Sequence, residues 1–299
     1  MHKSIILFGS LCWFSSVSAQ ATEPHVSETL SRIFQSKKQL EQSPTCKRGC
    51  IFLSAWDFDG TILHGDASEG LTTSGQTIYP GLAQKAIEAG FSKIYSKQDF
   101  QKFWHDYEDM DKTQGHIPAY TYIPKIFKGS RAAEVKQFAA RYYADTLQPY
   151  YFASSVEIFA KLRQGGVIPY IISAAPHVFV SSSGPTLSID DQHIFGIEVE
   201  LAKDGSLTDR VAEPVPYAEG KAQRLSMIVT AEQARTKKPV FVLAAFGNSY
   251  HTDSAFLLWT LAQKLPAGTP TALMINGGTP PRELAGKFTE VSQRELFKK

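Results

Sequence analysis

The sequence predicts an α/β protein, a three-layer sandwich with helices over both faces of a central parallel sheet. Its short apolar segments lack polar alternation and lie at residues 51–56, 167–172, 240–246 and 271–275. Such segments are typical of strands that are buried on both faces. Helical patterns, such as residues 154–164, separate these strands along the chain. Strands and helices that alternate in this way favour a parallel sheet covered on both sides.

The first 19 residues have the pattern of a secretory signal peptide. Met1-His2-Lys3 supplies a positive start, residues 5–14 are apolar, and Val17-Ser18-Ala19 resembles a cleavage site. A membrane anchor is the alternative, but the apolar stretch is too short to span a bilayer. We therefore expect an exported protein, periplasmic or secreted, with no stable membrane insertion after the signal is removed.

Two cysteines remain after the signal, Cys46 and Cys50. In an exported chain, a closely spaced pair of cysteines favours a disulfide. A zinc site is disfavoured because neither a second cysteine pair nor a matched histidine pair accompanies them.

The length of the chain exceeds a typical single domain and suits one core domain with an inserted cap. We expect a leader over residues 20–50 with a helix near 28–40, a core formed by residues 51–66 and 151–299, and a helical cap over 67–150. Within the core, residues 194–201 and 207–211 are predicted to form a hairpin around Asp204-Gly205. With 31 basic and 29 acidic residues, the chain has no electrostatic reason to bind nucleic acid.

Polar clusters directly follow three of the predicted strands. They are residues 57–61, residues 173–175, and residues 247–249 together with Asp253. The carboxyl ends of parallel strands are where open α/β sheets bind ligands. Asp57 and Asp59 cannot both be buried cheaply without a cation or hydrogen-bond donors, and hard oxygen ligands favour Mg²⁺. The alternative for Asp59-Gly60 alone is an ordinary turn after a strand.

Four motifs in order resemble those of the haloacid dehalogenase (HAD) superfamily. They are Asp57-x-Asp59-Gly60-Thr61, Ser173, Lys221, and Gly247-Asn248-x-x-x-x-Asp253. The predicted hairpin before Lys221 resembles that of the phosphoserine phosphatase-like branch. Ser173-Ala174-Ala175, and His64-Gly65-Asp66 with Glu69, are similar to the secreted phosphorylcholine phosphatases. The resemblance implies a Rossmann-like core with a cap, and phosphatase activity on a small-molecule phosphate ester.

The resemblance also implies a role for each motif residue. Asp57 would be the nucleophile that forms an aspartyl-phosphate, and Asp59 the general acid and base. The predicted phosphate-binding residues are Ser173, Ala174 and Lys221. The predicted ligands of Mg²⁺ are the Asp57 carboxylate, the Asp59 backbone carbonyl, Asn248 and Asp253. The family motif usually has aspartate where this chain has Asn248, which leaves the strength of metal binding open.

Substrate selection is expected to depend on the cap. Glu69, Trp104 and Tyr107 are predicted to face an amine- or choline-bearing ester, because aromatic faces and carboxylates hold such cations. The alternative for Trp104 and Tyr107 is a helix face packed in the core of the cap. Two further functions remain open: transfer of the phosphoryl group to an acceptor alcohol, and an inactive homologue that binds a ligand.

Overall fold

The computed structural model describes residues 23–297, and the predicted signal peptide lies outside the described residues. In chain order, the strands of that part are β1 (Ile51–Trp56), β2 (Gly70–Thr73), β3 (Gln76–Pro80), β4 (Val167–Pro176), β5 (Ile194–Ile197), β6 (Val199–Leu201), β7 (Leu207–Val211), β8 (Val240–Gly247), β9 (Thr271–Ile275) and β10 (Thr289–Val291). The helices are α1 (Pro24–Glu41), α2 (Leu82–Glu88), α3 (Phe100–Gln114), α4 (His116–Lys125), α5 (Ala132–Tyr142), α6 (Ala153–Gln164), α7 (His177–Val180), α8 (Gly184–Leu187), α9 (Glu219–Thr236) and α10 (Ser254–Leu261).

Six strands form one parallel sheet in the order β10-β9-β8-β1-β4-β5. The four predicted strands are its β1, β4, β8 and β9. The sheet is covered on both faces, since α1 and α6 pack with one core cluster while α9 and α10 pack with the other. The predicted three-layer α/β fold with a central parallel sheet is confirmed.

Helix α1 is part of this packing. Pro24 occupies its first turn, where the missing N–H of proline costs nothing. Val26, Ile33 and Leu40 are buried, at one helical face, against the core. The segment predicted as a leader thus contributes a layer-forming helix.

Residues 67–150, the segment predicted as a helical cap and here called the cap, contain α2, α3, α4 and α5, and also the antiparallel hairpin β2–β3. The hairpin was not predicted because most of its residues are exposed and polar, so no apolar alternation marks it. Ser74 and Gly75 at its turn both have positive φ.

The prediction for residues 194–211 was wrong in part. Strand β5 does not pair with β7; it is the edge strand of the main sheet, parallel to β4. Only β6 pairs with β7 in an antiparallel hairpin. Backbone hydrogen bonds then join this hairpin to the cap, from Gly129 to Leu207 at 2.8 Å and from Leu207 to Ser130 at 2.9 Å. Alternation alone did not distinguish an edge strand of a sheet from one arm of a hairpin.

Cys46 and Cys50 form a disulfide, as the sequence predicted. It lies in the turn between α1 and β1 and closes only a small loop, so its entropic stabilisation is modest. Over residues 23–297, no helix combines the length and the apolar character needed to cross a membrane.

Candidate active site

The first motif begins where β1 ends. Trp56, the last residue of β1, is fully buried and stacks on Phe246 of β8 with ring centroids 3.7 Å apart. The backbone N–H of Asp57 donates to the carbonyl of Phe246 at 2.8 Å. The apolar strand ends are thus packed tightly, and they place the polar residues that follow β1 and β8 side by side.

The Asp57 carboxylate is held at both oxygens. Its Oδ1 accepts a hydrogen bond from Lys221 Nζ at 2.6 Å, and its Oδ2 accepts one from the Thr61 hydroxyl at 2.9 Å. Lys221 comes from α9 and is 1% exposed. Its Nζ also donates to Asp253 Oδ1 at 2.6 Å. A lysine with two carboxylate partners can be buried at this depth, whereas an unpaired one would be very costly.

Asp59 lies beside Asp57 and has a different set of partners. Its Oδ1 accepts the backbone N–H of Ala67 at 2.7 Å, and its Oδ2 accepts the Ser173 hydroxyl at 3.3 Å. The Ser173 oxygen in turn accepts the N–H of Ala175 at 3.0 Å. Asp59 is thus oriented from two sides, by the segment that enters the cap and by the end of β4.

Asp253 does not line the cavity, which differs from its predicted role as a metal ligand. It is fully buried. Its Oδ2 accepts the N–H groups of Asn248 and Ser249, both at 2.9 Å, while Oδ1 is bound to Lys221. A Cβ on Gly247 would lie 2.6 Å from the Cβ of Asp253, so glycine is needed for this close approach. Asp253 therefore holds Lys221 and the turn after β8.

The remaining predicted ligands fit a hard cation. The Asn248 side chain packs directly against the backbone at Gly60, next to Asp59, and Asn248 lines the same cavity as Asp57. Among residues 23–297, no three His, Cys, Asp or Glu side chains are arranged to hold a metal ion. A cation here would rely on the Asp59 carbonyl and the Asn248 amide besides the Asp57 carboxylate, and such oxygen donors suit Mg²⁺.

These residues surround a cavity of about 170 Å³ between the core and the cap. Ser173, Ala174 and Lys221, the predicted phosphate-binding residues, all line it. The cap side contributes Glu69, Tyr120 and Ile123. The structure therefore brings the first, second and third motifs and Asn248 into one small space.

Carboxylic acid groups dominate the wall of the cavity. Four of the lining side chains are carboxylic acids and one is a lysine; the acids are Asp57, Asp59, Asp66 and Glu69. Burial, and then the neighbouring Asp253, raises the pKa of Asp57 to about 6. Burial, and then Asp66, raises the pKa of Asp59 well above its ordinary range. An anionic ester entering this cavity would be repelled unless a cation or protons offset these charges.

The buried lysine keeps its charge. Burial alone would lower the pKa of Lys221, but Asp253 and Asp57 outweigh it and hold the pKa above the ordinary value. Lys221 is therefore protonated across the physiological pH range and available as a hydrogen-bond donor to anionic oxygens.

Trp104 and Tyr107 do not line the cavity. Tyr107 stacks on Phe103 and Trp104 in the interior of the cap, which matches the alternative of a packed helix face. Tyr107 still influences the site, because its hydroxyl donates to Glu69 Oε1 at 2.7 Å. Glu69 is the predicted substrate residue that the structure places on the cavity wall.

Three functional candidates received no role from the sequence. Thr61 orients Asp57 through its hydroxyl, while Asp66 and Ser68 line the cavity. The Asp66 Oδ1 accepts the N–H groups of Ser68 and Glu69 at 2.6 and 2.8 Å. The spacing Asp66-x-x-Glu69 can be seen in the sequence. The sequence does not show, however, that the hydrogen bonds to Asp66 form a turn and that both residues line the cavity.

Glu69→Gln is expected to make the protein more stable than the parent at pH 8 and to change its stability little at pH 5. Although Glu69 is exposed at the cavity mouth, partial burial of its carboxylate, and then Asp66, raises its pKa from 4.5 to about 7. Because the pKa of Glu69 rises on folding, its protonated form stabilises the folded protein. This contribution is fully present below pH 4.5 and is lost as the pH rises through about 7. Glutamine carries no charge at any of these pH values, so Glu69→Gln does not lose stability in this way as the pH rises.

The measurement is the thermal unfolding midpoint of both proteins from pH 5 to pH 8, in EDTA to keep cations from the carboxylates. Glu200→Gln, on the exposed Glu200–Arg210 pair of the β6–β7 hairpin, is the matched control and should show no such trend. A Glu69→Gln protein that is less stable than the parent at pH 8 would contradict the expectation.

Comparison with known proteins identifies the family. The model of the haloacid dehalogenase-like hydrolase family matches residues 55–257, which run from the end of β1 into α10 and include the cap. The chain belongs to this family of hydrolases, as the four motifs indicated. No curated protein matches the sequence.

Solved structures share the fold at low sequence identity. A protein of unknown function from Bordetella pertussis Tohama I superposes with a TM-score of 0.60 at 14% identity, covering 81% of this chain and 98% of its own. A conserved protein of unknown function from Anaerococcus prevotii DSM 20548 superposes with a TM-score of 0.61 at 12% identity, covering 91% and 95%. A phosphoserine phosphatase, described as a phospho-aspartyl intermediate analogue, gives a TM-score of 0.46 at 15% identity, covering 82% and 94%.

Proposed function

We propose that this protein is a Mg²⁺-dependent phosphomonoester hydrolase that forms an aspartyl-phosphate on Asp57. The observation that carries the proposal is the Asp57 carboxylate itself, held between Lys221 and Thr61 at the edge of a small cavity. Asp59 lines the same cavity and is the proposed proton donor and acceptor. The resemblance of the motifs to the phosphoserine phosphatase-like branch supports this chemistry.

The residues divide the reaction into two displacements. A carboxylate oxygen of Asp57 attacks phosphorus while the bond from phosphorus to the ester oxygen breaks, and Asp59 donates a proton to the departing alcohol. A water molecule then gives its proton to Asp59 and attacks phosphorus, which breaks the bond to Asp57 and releases phosphate. Lys221 and Ser173 donate hydrogen bonds to the phosphoryl oxygens as charge shifts. Mg²⁺, when bound, would offset the negative charge of the phosphoryl group and the carboxylates.

The cavity favours a small ester that carries an amine. Its volume of about 170 Å³ leaves little room beyond a phosphoryl group and a short chain. Asp66, Glu69 and Tyr120 also line the cavity, and carboxylates beside an aromatic side chain suit an ammonium or choline group. No arginine is among the lining residues, so an ester with its own carboxylate would lack a cationic partner.

We also propose that the protein acts outside the cytoplasm, in the periplasm or after secretion. The signal-like first 19 residues support this location, as does the Cys46–Cys50 disulfide, since disulfides persist in oxidising compartments.

Phosphate release by the purified protein tests the proposed activity. The esters are p-nitrophenyl phosphate, phosphoethanolamine, phosphocholine and phosphoserine, each with added Mg²⁺ or with EDTA. We expect release that needs Mg²⁺, with phosphoserine as the poorest of the three biological esters. Activity that persists unchanged in EDTA would contradict the metal requirement, and phosphoserine as the best substrate would contradict the proposed charge selection.

Two alternatives are separated by the same assay. Added acceptor alcohol would yield a new phosphate ester if the enzyme transfers the phosphoryl group, whereas a hydrolase yields free phosphate. A well-folded protein that releases phosphate from none of a broad panel of esters would instead favour a ligand-binding homologue, for which the uncharged Asn248 is the motivating observation.

A further inference from the structure

Four exposed cations lie together at the end of the main sheet opposite the cavity. Lys47 and Arg48 are in the loop between α1 and β1, and Lys237 and Lys238 are in the loop between α9 and β8. All four side chains are exposed, and within residues 23–297 none of them forms an ion pair or a side-chain hydrogen bond. These four residues are called the basic patch below.

The two loops of the basic patch are held against each other. The disulfide described above closes the first loop around its two cations. A Cβ on Gly49, in that loop, would lie 3.5 Å from the Nζ of Lys238 in the second loop. The backbone N–H of Ile51 then donates to the carbonyl of Pro239 at 2.9 Å. The charges of the patch are therefore presented on a rigid support, which lowers the entropic cost of binding a partner.

The protein supplies no counter-charge to the basic patch from its own loops. The chain contains no acidic residue between Glu41 and β1, and none between Glu232 and β8. Those two glutamates are themselves paired, with Lys37 and Arg235. Four like charges without acidic neighbours in their loops create a local positive potential, although the chain as a whole is nearly balanced in charge. The patch therefore favours an anionic partner.

The composition of the loops indicates the kind of anionic partner. Neither residues 42–50 nor residues 237–239 include an aromatic or a large aliphatic residue. Proteins that bind single-stranded nucleic acid stack its bases on aromatic side chains, and segments that insert into a bilayer need apolar anchors. The partner is therefore bound by charge alone, at a surface of clustered anions. The head groups of anionic phospholipids form such a surface, and the expected export of the chain brings it to membranes.

We propose that the basic patch docks this protein, reversibly and without insertion, on a membrane surface that contains anionic phospholipids. Strand β1 runs from the loop of Lys47 and Arg48 to Asp57, and its six residues span about 20 Å. A molecule docked through the patch would therefore have its cavity at the end of the sheet away from the membrane. This inference does not rest on the proposed phosphatase function.

Sedimentation with vesicles tests the docking. The purified protein is mixed with vesicles of phosphatidylglycerol and phosphatidylcholine in equal amounts, and separately with vesicles of phosphatidylcholine alone. We expect the protein to sediment with the mixed vesicles at low ionic strength and to be released by about 1 M salt, where the screening length is about 3 Å. It should not sediment with phosphatidylcholine alone, which controls for attachment through apolar residues.

Two double variants test the residues of the patch. One is Lys47→Gln with Arg48→Gln, and the other is Lys237→Gln with Lys238→Gln. Each cation near an anionic surface strengthens binding about fivefold, so each double variant should partition onto the mixed vesicles about 30-fold more weakly. Replacing both lysines of the second pair by arginine keeps the charges and should keep the binding.

A matched control separates the patch from the net charge. Lys93→Gln with Lys97→Gln removes the same charge from two exposed lysines of the cap and should bind vesicles as the parent does. Because cations after the carboxyl end of a helix also favour its dipole, the thermal unfolding midpoint of the variant at Lys237 and Lys238 is measured as well. The arginine pair keeps this dipole contribution, so its binding shows that the fold is intact.

Three results would overturn the docking surface. They are a parent protein that does not sediment with the mixed vesicles, patch variants that bind as tightly as the parent, and a control pair that loses as much binding as the patch variants. Double-stranded DNA that removes the protein from the vesicles through the same four residues would replace the membrane by nucleic acid as the partner. Asp57→Asn should bind vesicles as the parent does, so failure of the docking and failure of the proposed function are measured separately.

Discussion

Asp57→Asn is expected to lower phosphate release by roughly 10⁴-fold or more, because an amide oxygen cannot act as the nucleophile that takes the phosphoryl group. The substitution keeps the shape of the side chain, and the amide oxygen can still accept the Thr61 hydroxyl. The measurements are kcat for p-nitrophenyl phosphate and the mass of acid-quenched enzyme. The parent should carry one added phosphoryl group on the peptide that contains Asp57, and the variant none.

The same substitution should leave the fold intact. The pKa of Asp57 is raised to about 6 on folding, so its charged form is disfavoured in the native state at pH 8. Asp57→Asn is therefore expected to unfold at the same temperature as the parent, or a higher one, at that pH. Asp209→Asn, which removes an exposed carboxylate on β7, is the matched control and should retain parental activity. Substantial turnover by Asp57→Asn would place the nucleophile elsewhere.

Lys221→Met is expected to reduce both activity and stability. The ammonium group neutralises two buried carboxylates, Asp57 and Asp253, each 2.6 Å away. Breaking a buried ion pair from one side typically costs about 3–5 kcal/mol. Loss of a preorganised donor to the transition state typically lowers kcat by about 10²–10³-fold. Urea unfolding at pH 8 and at pH 5 measures the stability change, which should be larger at pH 8, because burial raises the pKa of Asp57 and more of its carboxylate is charged at the higher pH.

A double variant separates the two effects. In Lys221→Met with Asp253→Asn, one of the stranded charges is gone, so part of the stability should return while activity stays low. Lys128→Met breaks an exposed pair with Asp209 and serves as the surface control, with little change expected in either property. Lys221→Met with parental stability at pH 8 would contradict the stabilising role of the buried ion pairs.

The four central strands and the first motif could be predicted because their signals are local. A buried parallel strand must be apolar on both faces, so β1, β4, β8 and β9 appear as short unbroken apolar segments. Strand β10 escaped prediction because it is three residues long with no buried residue. The hairpin β2–β3 escaped because its residues are mostly exposed, and exposure imposes no pattern on the sequence.

The residues of the candidate site also divide into those that a local sequence signal identifies and those that it does not. Asp57, Asp59, Ser173, Lys221 and Asn248 could be selected from the sequence because each follows a strand or a recognisable motif, and the structure places all of them around one cavity. Asp253 belongs to the same motif, but the hydrogen bonds of its carboxylate point it at Lys221 and at two backbone amides. Motif spacing cannot distinguish a side chain that lines a cavity from one that orients a neighbouring residue and does not itself line the cavity.

The sequence by itself determined the fold class, the family-typical motifs, the cysteine pair that forms the disulfide, and the strand ends at which chemistry would occur. Only the tertiary structure decided that Trp104 and Tyr107 pack inside the cap, that β5 is an edge strand, and that Asp253 bonds to Lys221 and does not line the cavity. The physical reason is the distance along the chain over which each kind of interaction acts. Hydrophobic burial along one strand or helix leaves a periodic trace in neighbouring residues, whereas the direction of a polar side chain depends on partners that are distant in sequence.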